Sequence, residues 1–331
     1  MRYTTFGRTG LRVSELVLGA MTFGEQGGVG APLDECRRIL DVYAEAGGNM
    51  VDTAINYRGG ASEEILGELL AGRRDRFVVA TKYTVSRDPG DPNGGGNHRK
   101  NLRLSLEISL RRLRTDHIDV YWVHIWDRHT PIEETMRALD DAVSAGKVLY
   151  VGVSDTPAWV VSRANMLAEW RGWTPFAGLQ VPYSLINRDA ERELLPMADA
   201  LGLTVTAWSP LGGGVLSGKY NAGPTDGTAR LDRDTIRDAD LNVARVVGDV
   251  ADELGVTPAQ VALAWAGRNP QVLPVIGART EDQIRNNLGC TTVTLPAESV
   301  ARLAAATEFS LGFPADFIAQ TRPWVLGAAA L

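Results

Sequence analysis

Short apolar runs rich in β-branched residues alternate along this chain with longer stretches in which apolar residues recur at helical spacing. The short runs are typical of buried strands. They cover Leu16–Ala20, Asn49–Ala54, Phe77–Lys82, Ile118–His124, Val148–Ser154, Gly178–Tyr183, Leu203–Ser209 and Val272–Ala278. The longer stretches predict helices. These cover Asp34–Ala46, Ser62–Ala71, Arg99–Leu113, Ile132–Ala145, Pro157–Trp170, Asp189–Ala200, Asn242–Glu253 with Pro258–Arg268, and Glu281–Asn287.

The order of these elements predicts the fold. Repeated strand-helix units are typical of a parallel sheet covered by helices, and eight of them favour a closed (β/α)8 TIM barrel over an open sheet. No stretch resembles an interdomain linker, so we expect residues 1–331 to form a single α/β domain. Three segments are too long or too rich in glycine to be simple connections, and we expect them to be lids at the mouth of the barrel. They are Tyr83–His98, Pro210–Asp240 and the tail after Thr307.

Composition narrows the class of protein. A hydrophobic content of 44% and a charged content of 22% are typical of a soluble globular protein. The net charge of -6 and the lack of a long basic run argue against a nucleic-acid partner. Without an apolar leader or a long apolar window, we expect a cytoplasmic protein with no membrane partner. Cys36 and Cys290 lie far apart without metal-type spacing, and we expect two small buried side chains rather than a disulfide or a metal site.

Candidate catalytic residues lie at or just past the carboxyl ends of three successive predicted strands. They are Asp52, Tyr57, Lys82 and His124. In a barrel, side chains at the carboxyl ends of the strands meet at one mouth, where the chemistry takes place. A lysine ammonium makes a neighbouring phenol a stronger acid, and a buried lysine needs a carboxylate as its counter-ion. With an imidazole opposite, this set of groups predicts protonation of a carbonyl oxygen.

Reduction of a carbonyl also needs a hydride donor. The chain has no G-x-G-x-x-G motif, so a Rossmann-type dinucleotide site is not expected. Barrels hold phosphate groups at the loops after their last two strands, on a helix N-terminus. Arg279 has the forked side chain that binds phosphate there, while Gly212–Gly214 and Lys219 would let a pyrophosphate approach the backbone closely. Trp208, at a strand end, offers a flat face to a nicotinamide ring.

Polar residues at two further strand ends suit the carboxamide of the same ring. Ser154 and Asp155 end the fifth predicted strand, and Gln180 lies in the sixth. Each of these cofactor assignments has a structural alternative. The glycine run suits a flexible loop without a ligand, Trp208 suits the packed barrel core, and a glutamine in a strand is ordinary.

Together these motifs resemble those of the aldo-keto reductases over nearly the whole chain. The matching segments are Phe6–Ser14, Leu18–Gly24, Asp52–Tyr57, Thr81–Lys82, His124, Gly152–Ser154, Tyr183–Leu185, Trp208–Leu211, Gly218–Tyr220 and Pro274–Arg279. The chain is most similar to the branch of bacterial general-stress and aryl-alcohol reductases and potassium-channel beta subunits. The resemblance implies an N-terminal hairpin that closes the base of the barrel, here Tyr3–Phe6 with Leu11–Ser14, and an NADPH that lies across the mouth.

Carried over position by position, the resemblance implies a catalytic tetrad of the four residues named above. It implies cofactor contacts at Ala20, Met21, Asp52, Ser154, Asp155, Gln180, Trp208, Ser209, Pro210, Leu211, Gly213, Lys219, Arg230, Gly277, Arg279, Gln283, Asn286 and Asn287. Two positions depart from the family pattern. Asp155 stands where an asparagine or arginine is usual, and Pro182 stands where glutamate or asparagine is frequent.

The leading hypothesis is therefore an NADPH-dependent reductase of aldehydes and ketones, acting on a small-molecule carbonyl with Tyr57 as the general acid. Two alternatives stay open. Lys82 at a strand end of a barrel suits a Schiff-base aldolase, although Asp52 would keep its amine charged. A nucleotide-sensing binding subunit without turnover is the other, although the channel-associated proteins of that kind commonly lack the histidine that stands here as His124.

Overall fold

The computed structural model of the chain describes residues 1–26, 28, 30–221 and 230–327. Part of the predicted long loop Pro210–Asp240 and the last four residues of the predicted tail lie outside the described residues.

A closed barrel of eight parallel strands forms the centre of the molecule, as the sequence predicts. In the described part of the chain, the strands are β1 (Tyr3–Thr5), β2 (Arg12–Ser14), β3 (Val17–Gly19), β4 (Met50–Asp52), β5 (Val78–Tyr83), β6 (Ile118–Val123), β7 (Val148–Ser154), β8 (Phe176–Pro182), β9 (Thr204–Trp208) and β10 (Val272–Gly277). Neighbouring barrel strands follow chain order from β3 to β10, and β10 pairs with β3 to close the ring. All carboxyl ends therefore face the same side.

The helices cover the outside of the barrel. They are α1 (Leu33–Glu45), α2 (Ala61–Leu69), α3 (Arg99–Leu113), α4 (Ile132–Ser144), α5 (Ala158–Arg171), α6 (Leu194–Leu201), α7 (Asp238–Leu254), α8 (Pro258–Ala266), α9 (Glu281–Leu288), α10 (Ala297–Ala305) and α11 (Ala315–Leu326). The start of α8 shows how local sequence sets a boundary. The Thr257 side chain accepts from the Gln260 backbone and the Gln260 side chain accepts from the Thr257 backbone, while Pro258 occupies the first turn.

The hairpin of β1 and β2 closes the base of the barrel, which confirms the expectation from the resemblance. Its strands pair antiparallel, with Tyr3 opposite Ser14. Just after β1, the Gly7 N–H donates to the Thr204 hydroxyl (2.7 Å) at the first residue of β9. The Phe6 ring meets Trp122 edge to face inside the barrel, with the ring centroids 6.1 Å apart.

Side chains along each strand point alternately into the barrel interior and outward to the layer beneath the helices. Trp122, on β6, points inward and fills the space that two neighbouring strands leave free. A Cβ at Gly152 would lie 2.3 Å from the Trp122 ring, and one at Gly178 would lie 2.4 Å from Phe6 and 2.9 Å from Trp122. Gly152 leaves room for the Trp122 indole, and Gly178 leaves room for Phe6 and Trp122 together.

Several predicted boundaries differ from the structure. Helix α6 begins at Leu194, because the predicted start at Asp189 forms a separate 3-10 turn. The tail after Thr307 contains α11, and α10 precedes it, whereas the sequence pattern predicted neither helix. Cys36 and Cys290 are both buried and free, as expected. No helix in the described part of the chain is both long enough and apolar enough to cross a membrane.

Candidate active site

The period of two along the central strands brings three of the predicted catalytic residues into the barrel. On β4, Met50 and Asp52 point inward while Val51 packs beneath the helices. On β5, the inward residues Val78 and Ala80 lead to Lys82. On β6, inward Val120 and Trp122 lead to His124, the residue that follows the strand. Three adjacent strands thus deliver a carboxylate, an amine and an imidazole to one mouth.

Lys82 is the centre of this group, and its ammonium has three acceptors for its three N–H donors. Its Nζ donates to Asp52 Oδ2 (2.5 Å), to the Thr53 carbonyl oxygen (2.7 Å) and to the Tyr57 hydroxyl oxygen (3.2 Å). The side chain is 0% exposed. Burial alone would lower the pKa of Lys82, but the Asp52 charge and Tyr57 together raise it above its ordinary value. The amine is therefore held as a cation beside a phenol.

His124 faces the same phenol from the other side. The Tyr57 and His124 rings meet edge to face with their centroids 5.9 Å apart. Burial, and then the Lys82 charge, lower the pKa of His124 from 6.5 to about 3. The imidazole is therefore neutral at physiological pH and has one N–H to donate.

Gln180 has a contact that the sequence did not predict. Its Nε2 donates to Asp52 Oδ1 (3.1 Å) and to the Thr206 hydroxyl (3.1 Å). Both oxygens of Asp52 are therefore fixed, one by Lys82 and the other by Gln180. The side-chain carbonyl of Gln180 is the part that remains for a ligand.

A cavity of about 630 Å³ lies beside these residues, a size typical of small-molecule and cofactor sites. Most of the predicted cofactor residues line it. They are Met21, Asp52, Gln180, Trp208, Ser209, Pro210, Leu211, Gly213, Lys219, Arg230, Gly277, Arg279, Gln283, Asn286 and Asn287. Tyr57 lines it too, so the acid candidate and the cofactor candidates share one cavity.

Three predicted cofactor residues do not line this cavity. Ala20 is buried, and its backbone groups already have partners within the protein. Its N–H donates to the Asp52 carbonyl oxygen, and its carbonyl oxygen accepts from the Ser62 hydroxyl. Ser154 lies at the end of β7. Asp155 follows it with a left-handed backbone (φ 42°), and its Oδ1 accepts from Trp208 Nε1 (3.2 Å). Asp155, which departs from the family pattern, therefore holds the indole edge of Trp208. From the sequence, this indole is expected to stack on the nicotinamide ring.

The cavity also has a lining that the sequence did not reveal. Its additional members are Gly19, Thr22, Arg58, Ser217, Ala259, Leu263, Val275, Ile276, Ala278 and Asp282. Gly214, from the predicted glycine run, lines the cavity as well. Thr22 shows why some were missed. Its hydroxyl donates to the Ala278 carbonyl (2.7 Å) across 256 positions of sequence, a contact that exists only because β10 closes onto β3. Arg230 similarly approaches Met21 Sδ, at 3.9 Å.

Several features in and beside the cavity fit a nicotinamide dinucleotide. The Ser154 hydroxyl is buried and has no hydrogen-bond partner among the described residues, so a ligand amide would satisfy it. Trp208 is 38% exposed at the cavity edge, which suits a ring stacked on it. Gly213 and Gly214 are left-handed (φ 68° and 95°), and a Cβ at Gly214 would lie 2.9 Å from the Lys219 side chain. A phosphate approaching this loop would therefore meet backbone and a nearby cation.

The far end of the cavity is formed by β10 and the start of α9. The Arg279 N–H donates to Gln283 Oε1 (2.8 Å), and Thr280 caps the helix by accepting from the Gln283 N–H (3.3 Å). The Glu281 N–H donates to Glu35 Oε1 (2.5 Å). Since these three backbone donors have partners within the protein, the Arg279 side chain is the main group there that favours an anion.

Comparison with known proteins is consistent with this geometry. Residues 15–308 match the Aldo/keto reductase family. The chain belongs to this family. It is an oxidoreductase of a family that acts on small-molecule carbonyl compounds with a nicotinamide cofactor.

Similar proteins include fungal reductases and dehydrogenases. The chain is 40% identical over 331 residues to the norsolorinic acid reductase of Emericella nidulans, covering 94% of this chain and 83% of that one. It is 39% identical over 318 residues to an aryl-alcohol dehydrogenase of Pestalotiopsis microspora (93% and 82%). It is 37% identical over 332 residues to the norsolorinic acid reductase of Aspergillus flavus (94% and 82%). The predicted similarity to aryl-alcohol reductases is thus confirmed. The predicted similarity to bacterial general-stress reductases and to channel subunits stays a prediction.

Proposed function

We propose that this aldo-keto reductase uses NADPH to reduce aromatic aldehydes or ketones to alcohols, with Tyr57 as the general acid. The observation that carries the proposal is the contact of the fully buried Lys82 ammonium with the Tyr57 hydroxyl at the edge of the cavity. A permanent cation beside a phenol stabilises the phenolate that proton donation leaves behind.

The residues present support the following division of roles. When bound, the reduced nicotinamide supplies a hydride to the carbonyl carbon. Tyr57 donates its hydroxyl proton to the carbonyl oxygen, and His124 as a neutral imidazole donates an N–H to the same oxygen. Lys82 balances the charge on the phenolate, and Asp52 keeps Lys82 protonated and in place. One hydride and one proton thus give an alcohol and the oxidised cofactor.

The aromatic preference rests on two observations. The similar proteins carry names that refer to aryl alcohols and to norsolorinic acid. Just beyond His124, the rings of Trp126 and Trp159 meet edge to face, 5.8 Å apart, and Arg128 lies 5.8 Å from the Trp126 ring. Both tryptophans follow strands whose carboxyl ends face the mouth, so an aromatic substrate would meet aromatic side chains there.

Replacing Tyr57 tests the acid assignment. Tyr57→Phe keeps the ring but removes the proton, and we expect kcat to fall by a factor of about 100 or more, the contribution typical of general acid catalysis. Oxidation of NADPH with an aromatic aldehyde, followed by absorbance, measures the rate. NADPH affinity, measured without substrate by fluorescence titration, serves as the control and should change less than two-fold. A Tyr57→Phe variant with wild-type turnover would contradict the assignment.

Replacing Arg279 tests the choice of cofactor. A charge-assisted hydrogen bond to a phosphate is worth about 1.5–3 kcal/mol, so Arg279→Leu should weaken NADPH binding by ten-fold or more and leave NADH binding within two-fold. Arg285→Leu is the matched control, because this neighbouring arginine of α9 pairs with Glu281. Equal weakening of both cofactors, or equal affinity of the wild type for both, would remove Arg279 from this role.

The aldolase alternative is disfavoured by the geometry. A Schiff base requires a neutral lysine, whereas the three donors of Lys82 are engaged and the pKa of Lys82 is raised. Borohydride treatment in the presence of a carbonyl compound should leave Lys82 unmodified. A protein that binds NADPH tightly but reduces no member of an aromatic, aliphatic and sugar-derived carbonyl panel would instead favour the sensing-subunit alternative.

A further inference from the structure

The turn that carries Tyr57 includes one residue, Arg58, in a backbone conformation that its residue type does not favour. Residues 55–60, here called the Tyr57 turn, contain three consecutive left-handed residues: Arg58 (φ 53°), Gly59 (φ 64°) and Gly60 (φ 105°). A left-handed arginine is uncommon and needs support from its surroundings. The Tyr57 N–H donates to the carbonyl oxygen of Ala54, the residue just before the turn, at 3.1 Å.

Arg112 of α3 supplies support from outside the turn. Its Nη1 donates to the Ile55 carbonyl oxygen (2.9 Å) and to Glu63 Oε2 (3.2 Å). The guanidinium also packs directly against the backbone of Gly60. A Cβ at Gly60 would lie 2.3 Å from Arg112 Cζ, so only glycine leaves room for this contact. One side chain thus contacts both the first and the last residue of the Tyr57 turn.

Glu63 of α2 contacts both Arg112 and the strand that carries Lys82. Its side chain is 0% exposed, and its Oε1 accepts from the Thr81 hydroxyl at 2.7 Å. Thr81 directly precedes Lys82 on β5. The other carboxylate oxygen accepts from Arg112. A buried carboxylate needs such partners, and none of the catalytic contacts described above involves Glu63 or Arg112.

We propose that Arg112, paired with Glu63, is a positioning residue that holds the Tyr57 turn so that the phenol stays within hydrogen-bond distance of Lys82. Arg112 contacts the turn, Glu63 contacts Arg112 and Thr81, and Thr81 is the neighbour of Lys82. These contacts therefore link the backbone of the Tyr57 turn to the backbone beside Lys82. They do so through Thr81, whose side chain points away from the barrel interior. The inference rests on the proposed role of Tyr57.

A cycle of variants with Tyr57→Phe tests the proposal. Arg112→Met removes the donors but keeps much of the side-chain volume, and we expect kcat to fall at least ten-fold while the Kd of NADPH stays within two-fold. If Arg112 acts through the Tyr57 hydroxyl, Arg112→Met should cause less than a two-fold further loss in the Tyr57→Phe background. Single-turnover reactions with enzyme in excess measure the slow variants. Arg111→Met, an exposed neighbour on α3, is the matched control and should leave kcat unchanged.

Two further measurements separate positioning from a general loss of structure. Arg112→Lys keeps a cation opposite Glu63 with one donor nitrogen instead of a fork, and we expect it to recover part of the lost kcat. It also replaces Arg112→Met in the cycle if that variant does not fold. Equal fold-losses in both backgrounds, or a kcat within two-fold of wild type for Arg112→Met, would overturn the proposal. Wild-type turnover of Tyr57→Phe alone would instead overturn the proposed function.

Discussion

At the scale of single residues, the site depends on how completely Lys82 is satisfied. A buried ammonium with three donors and three acceptors has no reason to lose its proton or to move. Asp52 is fixed in turn by Gln180. The Tyr57 hydroxyl contacts this cation and the Tyr57 side chain lines the cavity, which is the placement that the proposed general acid requires.

His124 gives a prediction on pH and stability. The pKa of His124 is lowered to about 3 in the folded protein, against 6.5 when unfolded. Between these values the unfolded chain binds a proton that the folded protein does not, so this group destabilises the folded state as pH falls below about 6.5. His124→Gln removes the effect. Between pH 6.5 and 5, we expect the free energy of unfolding of the wild type to fall by about 2 kcal/mol relative to the variant.

Urea unfolding of both proteins at several pH values measures this difference. All other titrating groups are shared by the two proteins, so their contributions cancel when the curves are subtracted. Parallel curves for wild type and variant between pH 6.5 and 5 would contradict a neutral, buried imidazole.

The candidate tetrad was predictable at this scale, whereas its support was not. Asp52, Lys82 and His124 follow three strands in succession, and the alternation of apolar residues is enough to aim them inward. Arg112 and Glu63 carry no such signal, because they lie on helices among other charged residues. Their contact with the Tyr57 turn depends on how α2 and α3 pack, which local pattern does not determine.

At the scale of elements, the packing around Trp122 explains why two barrel strands contain glycine. β7 and β8 each have a small residue where they face the indole of β6. Other choices at these positions would require the strands to separate. One buried aromatic side chain therefore restricts which residues two neighbouring strands can carry.

A pair of glycine variants tests this packing. Gly152→Ala places a methyl group 2.3 Å from the Trp122 ring, and we expect it to lower the free energy of unfolding by about 1–3 kcal/mol, as overpacking typically does. Gly248→Ala is the matched control. Gly248 lies inside α7 with nothing within 4 Å of its missing Cβ, and alanine there should stabilise by about 1 kcal/mol. Chemical denaturation measures both, and equal effects of the two variants would contradict the role given to Trp122.

At the scale of the whole molecule, the barrel was predictable because its signal repeats. Eight apolar runs with helical segments between them indicate the strand order, and closure follows from their number. The ends of the chain were less predictable. Helices α10 and α11 lie outside the repeat, so nothing in the alternation indicates them. That the chain forms one domain and works in the cytoplasm stay predictions.

The cavity was predictable in its main residues but not in its full outline. Arg279, Trp208 and Lys219 were found because each follows a strand or lies in a glycine-rich loop. Contacts such as Thr22 with Ala278 join residues 256 positions apart, and only the completed ring of strands brings them together.

The hairpin beneath the barrel affects how ligands enter and leave the site. Because Phe6 and Trp122 fill the lower end, the upper opening is the way in and out for every compound that reaches Tyr57. A reactant that lies deeper must arrive before one that lies above it, and must depart after it. If two reactants bind at different depths, we therefore expect them to bind and to leave in a fixed order.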